Sequence, residues 1–221
     1  MNTLVLEAAT YAGSVALVSD GRVLAARSVA MRGREHEALM PAVAEVLAEA
    51  TVAMAQVERI VCGAGPGSFT SLRIAGGIAK GLALAGGISL VPVSSLALLV
   101  ASRDGLAPGR YLGAIDALRG EHYVAAFEVT ADGDLQPSGE ASLVPSSTLG
   151  EFATRTGTAL VAAGATSAGE MAPQAAAAAR LTKLIDATDP ADLASWEPSY
   201  GRLAEAQVKW EAAHGRPLAG T

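Results

Sequence analysis

Residues 61–83 constrain this chain more than any other stretch: Val61-Cys62-Gly63-Ala64-Gly65-Pro66-Gly67-Ser68-Phe69-Thr70-Ser71-Leu72-Arg73-Ile74-Ala75-Gly76-Gly77-Ile78-Ala79-Lys80-Gly81-Leu82-Ala83. They read as a buried strand, a tight turn of glycine and proline, and a helix carrying more glycine than a helix wants. Pro66 fixes its own φ, while Gly65 and Gly67 can take positive φ, so the chain can reverse sharply and leave several backbone N–H groups pointing one way. Ser68 or Thr70 can then cap the helix. Gly76, Gly77 and Gly81 each cost a helix interior about 1 kcal/mol against alanine, which is tolerated where another backbone must come close. The stretch predicts a tightly packed helix at an interface.

As a nucleotide loop the same turn satisfies neither common motif. It lacks the Lys-Ser/Thr ending of a Walker A loop, and Thr70 falls where the third glycine of the dinucleotide fingerprint should be. Two readings remain: a backbone anion nest at a helix N-terminus, or a packing turn that sets up the interface helix.

Composition narrows the function classes. With 221 residues and 51% hydrophobic content, the chain can bury a real core as one large or two small domains. The aromatic share of 4% suits close helix-on-sheet packing more than large ligand cages. A formal charge of −6 denies the chain the broad basic face that phosphate backbones require, so contact with nucleic acid is expected through a partner. Cys62, the single cysteine, excludes an internal disulfide and a multi-cysteine zinc site. No apolar run reaches the length of a membrane span, and Met1 leads straight into a strand, so a cytoplasmic protein with no membrane partner is expected.

In chain order, residues 4–6 and 13–18 read as strands, Asp20-Gly21 as a hairpin turn, and residues 23–26 as a third strand. Residues 34–50 carry Leu39, Val43, Val46, Leu47 and Ala50 at helical spacing, with Pro41 tolerable in the first turn. Strands follow at 59–62 and 90–93, and a helix begins at Ser94 or Ser95. Turn formers at 103–109 place a boundary, giving a first lobe of residues 1–104 and a smaller second lobe of residues 105–221. Residues 112–127 then echo the start: a strand ending in Asp116, a polar turn through Arg119 and Gly120, and a strand from His122. Further on, residues 146–155 and the alanine run 175–179 read as helix, 159–163 as strand, and 203–213 as an amphipathic tail helix with Trp210.

Gly65-Pro66-Gly67-Ser68-Phe69-Thr70, with Leu72-Arg73-Ile74 and Ala79-Lys80-Gly81-Leu82-Ala83, closely resembles the signature of the bacterial TsaB (YeaZ) family. Arg34-Glu35-His36 with Leu39 and Pro41, the run from Ile115 to Tyr123, and Pro198-Ser199-Tyr200-Gly201-Arg202 are similar to further family patterns. The chain departs from the family at Ser71, which usually is glycine, and at Glu7, which usually is aspartate. The resemblance implies an α/β protein of two actin-like or sugar-kinase-like lobes, the second reduced. It implies a non-catalytic scaffold and dimerisation subunit in the making of threonylcarbamoyladenosine in tRNA. The implied partners are the catalytic TsaD subunit and the TsaE ATPase, with a homodimer when the partner is absent and tRNA reached only through the complex. No intrinsic cofactor is implied, and ATP or ADP would sit at a complex interface. An ATP-dependent phosphotransferase of the same superfold, or a metallopeptidase-like protein, are the other readings.

The candidate residues fall into three groups. Glu7 and Thr10, with Ser14, stand where an actin-like fold places its first phosphate loop, although a strand-end carboxylate can equally cap its own turn. Asp116 and Arg119 match the second-lobe motif and either contact a nucleotide or pair with one another. The interface group comprises Arg34, His36, Met40, Val43 and Leu47 from the first helix, the turn Gly65 to Thr70, and Arg73, Ile74, Gly77 and Ile78 from the second. Among these His36 serves either structure or acid–base chemistry, and no nucleophile is spaced to it. No residue is assigned a catalytic role. In the catalytic sister family two metal-binding histidines lie four residues apart at the strand-to-helix junction; Ser95 and Leu99 occupy those places here, so no metal site is expected.

Overall fold

The computed structural model describes residues 1–32, 37–164 and 171–201. The first sheet contains β1 (Asn2–Glu7), β2 (Ala12–Ser19), β3 (Arg22–Ala30), β4 (Arg59–Gly63) and β5 (Ser89–Val93), in the order β3-β2-β1-β4-β5. The three strands of the opening meander run antiparallel, while β4 and β5 run parallel to β1. Asp20 and Gly21, at φ 48° and 72°, make the tight turn between β2 and β3, as the Asp-Gly pair predicts.

Helices cover both faces of this sheet, so its central strands are buried on both sides and read as unbroken apolar runs. Leu4 and Leu6 of β1 and Ile60 of β4 point into one cluster with α1 (Leu39–Glu49) and α2 (Phe69–Gly86). Val5 and Val61 point the other way, onto α3 (Ser95–Ala101). Alanines 75, 79 and 83 form the buried stripe of α2 and let it lie close to the strands.

The second sheet holds β6 (Gly109–Asp116), β7 (Glu121–Val129), β8 (Leu135–Pro137), β9 (Ser142–Pro145) and β10 (Ala159–Ala163), ordered β10-β6-β7-β8, with β9 also paired to β7. It repeats the plan of the first: an antiparallel hairpin, β6–β7, flanked by a parallel strand, β10. Among the described residues its outer face carries only the short α4 (Leu149–Thr156), over Leu112, Val124 and Val144. Every residue of α3 is buried, between the two sheets, and a Cβ on Gly113 of β6 would lie 3.0 Å from the carbonyl oxygen of Leu96. This is an α/β fold of two sheet-based lobes, the second the more thinly covered by helices.

Several elements differ from expectation. The first helix starts at Leu39, where the Glu37 carboxylate takes up the N–H groups of Leu39 and Met40. The alanine run folds as a 3-10 turn, Ala175–Arg180, followed by α5 (Thr182–Asp186). Both ends are pinned: the Ala175 N–H donates to Ser14 Oγ at 2.8 Å, and Arg180 Nη1 donates to the carbonyls of Ala101 and Arg103 at 2.9 Å. Those tertiary contacts override alanine's helix preference. The chain from residue 172 onward returns to the first sheet, where the Ala191 N–H donates to Leu90 O at 2.8 Å and Trp196 packs into the α1–α2 cluster. Arg34, His36, Arg202 and the tail helix fall outside the described residues. Among the described residues no helix is long and apolar enough to cross a membrane.

Candidate functional site

The ends of β1, β4 and β5 converge beneath the glycine turn. Glu7 closes β1 with no exposed surface. Its Oε1 accepts the Ala9 N–H at 2.5 Å and its Oε2 accepts the Ser95 hydroxyl at 2.8 Å. Ser95 Oγ in turn accepts the Gly65 N–H at 3.1 Å, while the Ser95 N–H donates to Gly65 O at 3.0 Å. One serine thus ties the buried carboxylate to the turn above it. Gly63 makes room for the long carboxylate, since a Cβ there would overlap Glu7 Oε2. Burial raises the Glu7 carboxyl to about 7, against the lowering effect of its hydrogen bonds to Ala9 and Ser95. Burial, then the neighbouring Glu7, pushes the Cys62 thiol well above the usual thiol range. Cys62 is an inert core residue.

Glu7 is enclosed and caps its own turn. Thr10 is buried too, its Oγ1 accepting the Ala12 N–H at 3.2 Å and donating to Ala12 O at 3.1 Å. Ser14 Oγ is taken by Ala175. In the second lobe Asp116 Oδ1 accepts the Leu118 N–H at 2.7 Å, shaping a tip in which Leu118, Arg119 and Gly120 all have positive φ.

The turn itself is closed by its own hydrogen bonds. The N–H groups of Ala64, Gly65 and Ser68 donate to Val93 O, Ser95 Oγ and Ala9 O at 2.8, 3.1 and 2.7 Å. That leaves them unavailable to an anion and favours the packing-turn reading. Gly65 takes the expected positive φ of 83°, but Gly67 does not. Gly67 is required by proximity, because a Cβ there would overlap Ala9 O. Ser68 stands at the helix cap without a side-chain capping bond; its hydroxyl lies 3.1 Å from that of Ser71 instead, which accommodates the serine at 71.

Above the turn, α1 and α2 present an outer surface. Among the described residues a Cβ added at Gly77 or Gly81 would meet nothing within 4 Å, and Met40, Phe69 and Leu84 are 42%, 39% and 66% exposed. Arg73 lies over the Phe69 ring at 5.2 Å. Ile74, Ile78 and Leu47 are half-buried at the edges of this surface. Val43 is not part of it. At 1% exposure it points into the lobe's own core, because the helical spacing that joins it to Leu39 and Val46 is the spacing of the buried stripe.

Sequence reasoning missed the roles of Ser95, Ser14, Lys80 and Tyr123 as partners across the fold. The signal for Ser95 was the glycine at 63, whose missing side chain is filled by a carboxylate from another strand. A cavity of about 260 Å³ lies at the opposite end of β1 from Glu7, lined by Met1, Thr3, Arg59, Thr182 and Asp186 among others, and contains none of the predicted site residues. Among the described residues no three His, Cys, Asp or Glu side chains are grouped to hold a metal ion.

Comparison with known proteins agrees with the resemblance. The family model described as TsaD, tRNA N6-adenosine threonylcarbamoyltransferase, matches residues 30–153. The tRNA threonylcarbamoyladenosine biosynthesis protein TsaB of Escherichia coli K12 is 36% identical over 137 residues, covering 60% of this chain and 58% of that protein. The TsaB of Haemophilus influenzae is 33% identical over 124 residues, 56% of this chain and 52% of that protein. The chain thus spans little more than half the length of the curated relatives it matches. Among solved structures, YeaZ from Pseudomonas aeruginosa superposes with a TM-score of 0.72 at 28% identity, covering 90% of this chain and 99% of that one. A second Pseudomonas aeruginosa structure, of a protein with similarity to peptidase YeaZ, gives 0.74 at 28% identity over 91% and 99%. The chain belongs to the family that the threonylcarbamoyltransferase model describes.

Proposed function

We propose that this chain is a non-catalytic scaffold in the biosynthesis of threonylcarbamoyladenosine in tRNA, acting in the cytoplasm. It pairs through the outer surface of α1 and α2 with the catalytic TsaD subunit, and with a second copy of itself when that partner is absent. One observation supports this reading: Gly77 and Gly81 sit in the interior of α2 with no neighbour among the described residues. Together they cost the helix about 2 kcal/mol against alanine, and a backbone supplied by a partner offsets that. Gly76 differs, since its space is filled by Pro198.

Met40, Leu47, Phe69, Arg73, Ile74, Gly77 and Ile78 form the pairing surface, and Arg34 and His36 join the interface group on sequence alone. Residues 1–104 carry that surface and residues 105–221 brace it. The buried Glu7 and the occupied Ser14 support a lobe that holds no nucleotide by itself. ATP or ADP belongs at the interface of the assembled complex, the TsaE ATPase joins that complex, and tRNA is reached only through it. The test is to mix the chain with its cognate TsaD and measure tRNA modification. Modification that needs the chain, and is lost with Gly77→Trp, is the expected result. Transfer or hydrolysis by the chain alone would overturn it.

A further inference from the structure

The last described residues cross the molecule in a way that neither the fold plan nor the pairing surface requires. Trp196 O accepts Lys80 Nζ at 2.9 Å from the middle of α2. Pro198 is buried on Gly76, where a Cβ would come within 3.1 Å of its ring. The Ser199 N–H donates to Ala64 O at 2.8 Å, and its carbonyl occupies the space a side chain on Gly65 would need. The Tyr200 ring packs on Phe69 at 4.6 Å between centroids. Its carbonyl accepts the hydroxyl of Tyr123, which belongs to β7 in the second sheet, at 3.2 Å. Gly201, at φ 69°, lies between Tyr123 and Pro66, with no room for a Cβ against either. Three glycines, at 65, 76 and 201, are thus committed to seating one short segment, a cost in backbone entropy repaid only where the close approach matters.

We infer that residues 196–201 are a clamp that locks the glycine turn and α2 of the first lobe to the β6–β7 hairpin of the second. The two lobes then cannot move apart without unseating α2, and the clamp is the contiguous packed path along which a change at one lobe reaches the other. That α2 faces a partner belongs to the reading above; the clamp does not depend on it.

The test uses the full chain without a partner, so it succeeds or fails separately from the pairing surface. Lys80→Met removes the contact at the α2 end, and Tyr123→Phe removes only a hydroxyl at the far end. Hydrogen exchange is followed at residues 69–76 and 121–124, and tryptophan quenching is followed in a Trp210→Phe background, where Trp196 is the remaining indole. Each substitution is expected to speed exchange several-fold at both ends and to raise quenching of Trp196, with the melting temperature little changed. Exchange that quickens only beside the substituted residue, leaving the other end at the wild-type rate, overturns the clamp. Should Lys80→Met fold poorly, the conservative Tyr123→Phe decides alone.

Discussion

Ser95 donates its hydroxyl hydrogen to the Glu7 carboxylate at 2.8 Å, joining the first residue of α3 to the last residue of β1 inside the lobe. The same serine oxygen accepts the Gly65 N–H, so the carboxylate's position and the turn's position are set together. A catalytic acid would need a face toward substrate; this one has none.

Glu7 gives stability a definite pH dependence. Its carboxyl titrates near 7 in the folded chain against 4.5 for an ordinary glutamate, so between those values the folded state holds a proton the unfolded state has released. The stability it contributes is complete below the unfolded value and lost as pH rises through the folded one, on the order of 3 kcal/mol in all. Urea midpoints should therefore fall between pH 5 and pH 8, and Glu7→Gln should flatten that fall. An unchanged slope in the glutamine variant would assign the titration to another group.

Gly63 and Glu7 should behave as a coupled pair. Gly63→Ala drives a methyl into the carboxylate, whose carbon stands 2.6 Å from the new Cβ, and should cost about 1–3 kcal/mol. Glu7→Asp draws the carboxylate back. The double variant should recover much of the loss, with a coupling of about 1 kcal/mol or more in a double-mutant cycle. Simple additivity would show that the alanine is accommodated elsewhere.

Gly77→Trp should leave the fold intact while preventing the proposed self-association, since the new ring meets nothing among the described residues but collides with any helix laid across α2. The expected result is a melt unchanged within a few degrees, with sedimentation giving dimer for the wild type and monomer for the variant at the same concentration. A folded variant that still pairs would move the interface off α2.

Val43→Arg should do the opposite. The side chain is enclosed by Leu39, Val46 and the first sheet, so an arginine there is a charge without water or partner. Loss of several kcal/mol is expected. Circular dichroism should show a lowered melt or an unfolded chain, and a cooperative wild-type melt would contradict the packing described.

Much of this was legible because the deciding interactions are local. The Asp20-Gly21 turn, the unbroken apolar strand of β1 and the glycine turn after β4 each follow from neighbouring residues. What could not be read were demands placed by distant chain. Gly67 looked like a residue needing unusual φ, whereas it needs nearness to Ala9. Val43 looked outward because both sides of α1 are apolar, and periodicity finds a stripe without saying which of two faces the strands. The alanine run folded as a tight 3-10 turn because Ser14 and the end of α3 hold it at both ends. Glu7 was legible only as two alternatives, and the serine from α3 that binds its carboxylate lies 88 residues away, beyond the reach of local pattern.

The return of residues 172–201 to the first sheet has a consequence for the order in which the molecule can be made. Strands β1 to β5 are complete once residue 93 has been synthesised, yet Ser14, Leu90 and Ala64 receive hydrogen-bond partners from Ala175, Ala191 and Ser199. At about 5–20 residues per second of synthesis, the first sheet waits roughly 5–20 s on the ribosome with apolar surface uncovered. A nascent chain stalled near residue 171 should therefore remain protease-sensitive and chaperone-bound in its first half, and become resistant only once the last quarter has emerged.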